Sequence, residues 1–223
     1  MEAIGGGGRC CCPASMQRAP SLEDGLPLHW ACLGGQVHAA EQLIRADWDV
    51  DGRDKHGQTP AHWAARGLAG GKGAARVLLL LAEFGADMGL QDCRGFTPLH
   101  VASQRGQAAA VEALLQAAGA AASPADEAGA TPLHWAAGNG HEPAVLELLR
   151  GGAAVDARDI RARLALHCAA AAGEERVCRL LLRAAPAAQL LARDAGGETP
   201  DRAAARGGSK PPPSSQPQSR QRR

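Results

Sequence analysis

Aromatic residues are scarce in this 223-residue chain: four Trp, two Phe and no Tyr, 3% in all. The few rings still allow an all-helical core. The apolar 45% is carried largely by Ala and Leu, which suit close helix packing. A charge bias is also missing. The net charge is +1, so bulk charge does not argue for nucleic acid or a membrane surface. Long apolar runs are absent too. The longest strongly apolar run, Val77 to Ala82, is far too short to span a bilayer. No continuous apolar segment follows Arg9, so no signal peptide is expected. With Glu2 after Met1 and R-Q-R-R at the end, neither N-myristoylation nor prenylation is expected. The seven cysteines are odd in number and contain no C-x-x-C pair. That argues against a disulfide framework or a structural zinc site, and for a reducing cytoplasmic or nuclear setting.

What is present is a repeated phrase. It reads P-L-H-W-A from Pro27, T-P-A-H-W-A-A from Thr59, T-P-L-H-V-A from Thr97 and T-P-L-H-W-A-A from Thr131. A decayed copy, L-A-L-H-C-A-A, starts at Leu164. The five histidines, His29, His62, His100, His134 and His167, are spaced by 33, 38, 34 and 33 residues. A period near 33 means stacked copies of one small unit rather than a single globular core.

Each unit opens with an acidic turn, D-x-x-G, at Asp54–Gly57, Asp92–Gly95, Asp126–Gly129 and Asp194–Gly197; in the fifth unit Ala162 replaces the Gly. Asp bonds its own backbone to start a turn, and Gly accepts positive φ. Thr-Pro follows. Pro fits the first helical position and Thr can cap it. A short Ala-rich helix then stops at Gly34, Gly67, Gly106, Gly140 or Gly173. A second helix carries the pairs Leu43-Ile44, Leu80-Leu81, Leu114-Leu115, Leu148-Leu149 and Leu181-Leu182. It ends in a turn clearest at Gly85-Ala86-Asp87.

This order of Thr-Pro-Leu-His, Gly, Leu pair and Asp-x-x-Gly resembles the ankyrin repeat family. The resemblance implies an all-α solenoid of stacked helix-turn-helix units with short β-turn fingers. We place five units near 22–53, 54–91, 92–125, 126–158 and 159–193, with a partial cap at 194–207. Asp201 and Arg202 stand there where Leu-His belongs, and unpaired buried charges would be costly. A polar cap ending the stack is therefore expected. A Gly- and Cys-rich leader (1–20) and a Pro-, Ser- and Gln-rich tail (208–223) read as disordered. No further folded domain is expected in the short, Pro-rich tail. Cys10, Cys11 and Cys12 beside Arg9 could be S-acylated, or be a compositional accident.

Candidate chemistry is weak. Histidines one unit apart are too distant to share a zinc ion, so their expected partners are turn backbone or Thr side chains. The stretch Gly67 to Gly73 lacks the Ser/Thr after Lys72 and the preceding strand of a phosphate loop. It reads as a flexible insertion between two helices. No Ser-His-Asp or Cys-His motif is present, so no enzyme activity, cofactor or metal is expected. Trp30, Trp63 and Trp135 read as packing residues, with Trp48 the exposed one.

In the family, partners are held by the turn tips and the exposed face of each first helix. By resemblance these positions are Lys55, His56, Gln58 and Arg66, then Cys93, Arg94, Phe96, Gln104 and Arg105. Next come Glu127, Ala128, Ala130, Gly138 and Asn139, and finally Ile160, Arg161, Arg163, Ala171 and Ala172. The set is basic, with Glu127 its one acid. The expectation is a monomeric, non-catalytic scaffold or adaptor that binds an acidic segment of a partner protein, with Phe96 as apolar anchor. A solvated charge surface is the plainer reading of the same residues. A regulatory subunit or inhibitor of an enzyme is the functional alternative. A nucleic-acid binder is disfavoured by the near-zero net charge.

Overall fold

The structure, a computed structural model, describes residues 26–67, 71–117, 122–184 and 192–207. The expectations for the leader, for Cys10 to Cys12 and for the tail lie outside these residues. The helices are α1 (Pro27–Leu33), α2 (Val37–Arg45), α3 (Pro60–Arg66), α4 (Gly71–Glu83), α5 (Pro98–Arg105) and α6 (Ala108–Ala117). They continue with α7 (Pro132–Gly138), α8 (Glu142–Arg150), α9 (Ala165–Ala172), α10 (Glu175–Ala184) and α11 (Pro200–Gly207). Among the described residues there is no strand, and no helix is long and apolar enough to cross a membrane.

Contacts run along two rows. The odd-numbered helices pack in chain order from α1 to α11, and the even-numbered ones from α2 to α10. Each unit touches mainly its neighbours, which is the packing scheme of a solenoid. The core is accordingly a stripe rather than a ball. Leu28, Leu99, Leu133 and Leu166 of the first helices fill it from one side. Ile44, Leu81, Leu114, Leu148 and Leu181 of the second helices fill it from the other. Small residues set the spacing: Ala64, Ala102, Ala136 and Ala169 are fully buried where first helices meet.

The first helices start at Pro because the preceding residue is extended. Thr59, Thr97 and Thr131 have φ near −90° and ψ near 166°. Side chains from the following unit cap the far ends. Gln107 donates to the carbonyls of Arg66 and Gly67 at 2.9 and 3.0 Å, and His141 donates to that of Gln104 at 3.1 Å. Carbonyls left over at a helix end are thus satisfied across the unit boundary.

The insertion differs from expectation. Gly71, Lys72 and Gly73 lie in α4, which has 13 residues where the other second helices have 9 or 10. Part of the added length is absorbed by extending a helix, whose added turn satisfies its own backbone. Leu68 to Gly70 lie outside the described residues. Trp63 is fully buried, Trp30 and Trp135 are half-buried, and Trp48 is exposed. At the far end α11 packs on α9 and leaves Asp201 and Arg202 exposed.

Candidate functional site

The repeated histidines are structural joints. Nδ1 of His62, His100 and His134 accepts the backbone N–H of Thr59, Thr97 and Thr131 at 3.1 Å in each unit. The Thr hydroxyls lie 2.9–3.0 Å from the same nitrogens. With Nδ1 accepting, the proton sits on Nε2, which donates to a carbonyl of the next unit. His29 reaches Gln58, His62 reaches Phe96, His100 reaches Ala130 and His134 reaches Arg163, at 2.7 to 3.1 Å. His167 reaches Glu198 at 3.3 Å. Both ring nitrogens are used in the second to fifth units, so no ligand capacity remains for a metal there. Among the described residues no cluster of His, Cys, Asp or Glu could hold one.

Burial, against the weaker pull of the accepting carbonyls and nearby aspartates, holds His29, His62, His100 and His134 below the ordinary histidine pKa. Burial also pushes the Cys32 thiol up to about 12 and raises Cys168 and Cys178. These thiols are poor nucleophiles.

The fingers are built by the acidic turns. One carboxylate oxygen of Asp54 accepts the N–H groups of His56 and Gln58, each at 2.8 Å. Asp92, Asp126, Asp159 and Asp194 repeat the pattern. The second oxygen takes a side chain that differs by unit. Trp63 and Trp135 donate to Asp54 and Asp126 at 3.0 Å. Gln58 donates to Asp92 at 3.2 Å, and Arg163 grips Asp159 at 2.7–2.8 Å. Adjacent tips are tied by backbone bonds from Cys93 to His56, Glu127 to Arg94, Ile160 to Ala128 and Ala195 to Arg161. Gly57, Gly95, Gly129 and Gly197 carry φ of 68–74° in these turns, and Ala162 takes 55° in theirs.

The expected binding residues separate by exposure. Lys55, Arg105, Glu127, Asn139 and Arg161 are exposed; His56, Arg66, Arg94, Gln104 and Arg163 are half-buried. Gln58 and Phe96 correct the expectation, being 1% and 5% exposed. The finger residue just before Thr points inward, where the next unit covers it. Phe96 packs edge-on against Trp135 at 5.1 Å and stacks on His100 at 5.5 Å. It cannot serve as an exposed apolar anchor. Arg163 is also spoken for. Burial works against the Asp159 carboxylate, but hydrogen bonds from Arg163 outweigh that and hold its pKa below the usual range.

The exposed apolar tip is Ile160, 73% exposed beside Arg161. The sequence signal was present, since Ile160 holds the tip position occupied by Lys55, Cys93 and Glu127 in other units. Phe96 drew the role as one of two Phe, placed at a turn tip between Arg94 and Arg105.

Three arginines define the rest of the face. Arg66 donates to Gln58 Oε1 at 2.9 Å and lies 5.9 Å from the Trp63 ring centroid. The same Gln58 amide donates to Asp92, which sits 3.7 Å from Arg94. Arg94 lies over the Phe96 ring at 4.3 Å. Burial, then the charge of Arg105 and, less strongly, Arg94, lowers the Arg66 pKa, partly offset by Asp54 and Asp92. The second and third units thus share one electropositive patch on an aromatic floor.

Comparisons with known proteins agree with this architecture. Family models of ankyrin repeats match residues 10–79, 68–159 and 163–195. The chain is 36% identical over 76 residues to palmitoyltransferase AKR1 of Lachancea kluyveri, covering 34% of this chain and 10% of that protein. It is 34% identical over 87 residues to human ankyrin repeat and SOCS box protein 5, covering 39% and 24%. Human palmitoyltransferase ZDHHC13 matches at 34% over 87 residues, covering 38% and 13%. The matched stretch is therefore under a quarter of each relative's length. With the units, the histidine joints and the fingers in place, the chain belongs to the ankyrin repeat family, whose arrays mediate protein–protein interaction.

Proposed function

We propose that this protein is a non-catalytic scaffold or adaptor that captures an acidic segment of a partner protein on its finger and first-helix face. The observation that carries this reading is the joined set Arg66–Gln58–Asp92–Arg94, with Arg105 at the end of α5. It concentrates positive charge on one face of a nearly neutral chain. Ile160 supplies the exposed apolar contact, and Arg161 extends the charge toward it. Rigid units hold these groups in place before binding, which lowers the entropic cost of association. The likeness to palmitoyltransferases and to a SOCS box protein lies in the repeats, so no acyl transfer is proposed. Among the described residues Cys32, Cys168 and Cys178 form no disulfide, which supports a reducing location, cytoplasm or nucleus.

The test is capture from an extract of the native cell by the immobilised protein and by an Arg94→Glu/Arg105→Glu variant. The proposal expects the bound proteins to be lost while the circular-dichroism spectrum shows the helical fold retained. Capture unchanged by the double substitution overturns it.

A further inference from the structure

We infer that Arg66, Arg94 and Arg105 form a seat for a phosphorylated serine or threonine of the partner. The inference rests on the interaction reading above and names the chemistry of what is captured. Three positive charges meet two carboxylates, Asp54 and Asp92, which leaves one in excess. Asp92 is also committed. One of its oxygens holds the backbone N–H groups of Arg94 and Phe96, the other accepts from Gln58, and its side chain is 1% exposed. Among the described residues neither Arg66 nor Arg105 has an ion-pair partner, and the buried Nε of Arg94 has no acceptor.

A single carboxylate carries one charge and is satisfied by one guanidinium fork. A phosphomonoester carries about 1.5 to 2 negative charges and three acceptor oxygens. Its three acceptor oxygens match the supply of N–H donors on the three guanidiniums. The positions are prearranged. Arg94 is set on the Phe96 ring, which Trp135 and His100 hold in place. Arg66 is held by Gln58 beside Trp63. Burial and the charge of Arg105 and Arg94 already disfavour the Arg66 cation, and a bound dianion would relieve that repulsion. A phosphodiester has two non-bridging oxygens per group, against three on a monoester, and engages fewer of these donors.

The test follows the side-chain Nε–H signals of the arginines by NMR in the full chain. The probe is a glycine–serine peptide carrying one phosphoserine, compared with the same peptide bearing Ser or Glu. Arg66, Arg94 and Arg105 are expected to shift together and saturate, with the Glu peptide binding roughly tenfold more weakly, the worth of about one charge-assisted contact. Arg105→Gln, an exposed change, is expected to weaken the phosphopeptide several-fold at constant thermal midpoint. Equal response to the Ser peptide overturns the inference, as does a uniform shift of every exposed arginine. Tighter saturation of the same arginines by single-stranded oligouridylate overturns it in favour of nucleic acid. Phosphatase treatment of the extract separates the two proposals. Capture that needs Arg94 and Arg105 yet survives phosphatase leaves the adaptor reading standing and removes the phosphoryl seat.

Discussion

His62 Nε2 donates to the carbonyl oxygen of Phe96 at 2.7 Å, across the boundary between the second and third units. Its other nitrogen accepts from Thr59, at the start of its own helix. One imidazole therefore fixes a helix start and the next finger together. Removing it orphans the buried Thr59 N–H and takes one of two donors from the Phe96 carbonyl, which keeps the N–H of Asp92 at 2.8 Å. His62→Ala is expected to cost about 2–4 kcal/mol, read as a lower urea midpoint. A midpoint unchanged within error would show that the joint carries no stability.

Acid should act through the same joints. The folded-state pKa values of His29, His62, His100 and His134 lie below the ordinary 6.5. Between the two values the unfolded chain binds more protons, so acid favours unfolding there. Stability is complete above about pH 6.5 and falls as pH drops through the depressed folded-state values. Urea midpoints measured from pH 7.5 down to 5 should decline. A flat profile would contradict the neutral, Nδ1-accepting assignment.

Ala162 occupies a turn position where the other fingers use Gly, with φ of 55°. A Cβ in this region costs about 1–2 kcal/mol, while Gly loosens the unfolded chain by about 0.4–1 kcal/mol. Ala162→Gly is expected to raise stability by a few tenths to about 1 kcal/mol. The reverse change is worse at Gly95, where a Cβ would lie 2.8 Å from the backbone nitrogen of Glu127. Gly95→Ala should lower the midpoint, and thermal unfolding of both variants checks the pair.

Phe96 and Ile160 are expected to exchange the roles that their sizes suggest. Phe96→Ala removes a buried ring and should cost about 3–5 kcal/mol. Ile160→Asp alters an exposed tip and should leave the melting curve in place while reducing capture of the partner. If Ile160→Asp binds as the parent does, the tip is not a contact.

The Leu pairs are unequal. Leu148 is fully buried and Leu149 only partly. Leu148→Ala is expected to cost about 2–5 kcal/mol and Leu149→Ala clearly less. Because each unit leans on its neighbours, the loss at Leu148 should fray the units after it first. Hydrogen exchange of α9 and α10 amides reads that directly.

Much of this architecture was legible locally. The period, the Thr-Pro starts, the Asp-x-x-Gly turns and the Leu pairs each carry their structural meaning within a few residues. The Gly67–Gly73 stretch was misread because glycines suggest a loop, whereas Gly71 to Gly73 continue into α4. Phe96 was misread because a ring beside two arginines looks like an exposed anchor when its neighbour Trp135 is 39 residues away in the chain.

The sequence by itself determined the repeated unit and the backbone of every finger, because caps and turns depend on residues three to five positions apart. Only the tertiary structure decided which finger side chains face a partner and which face the next unit. It buried Gln58 and Phe96, exposed Ile160, and tied Arg163 to Asp159 while leaving Arg66 and Arg94 over aromatic rings. Those outcomes depend on contacts between successive units, and local residue preferences do not encode what a neighbouring unit will cover.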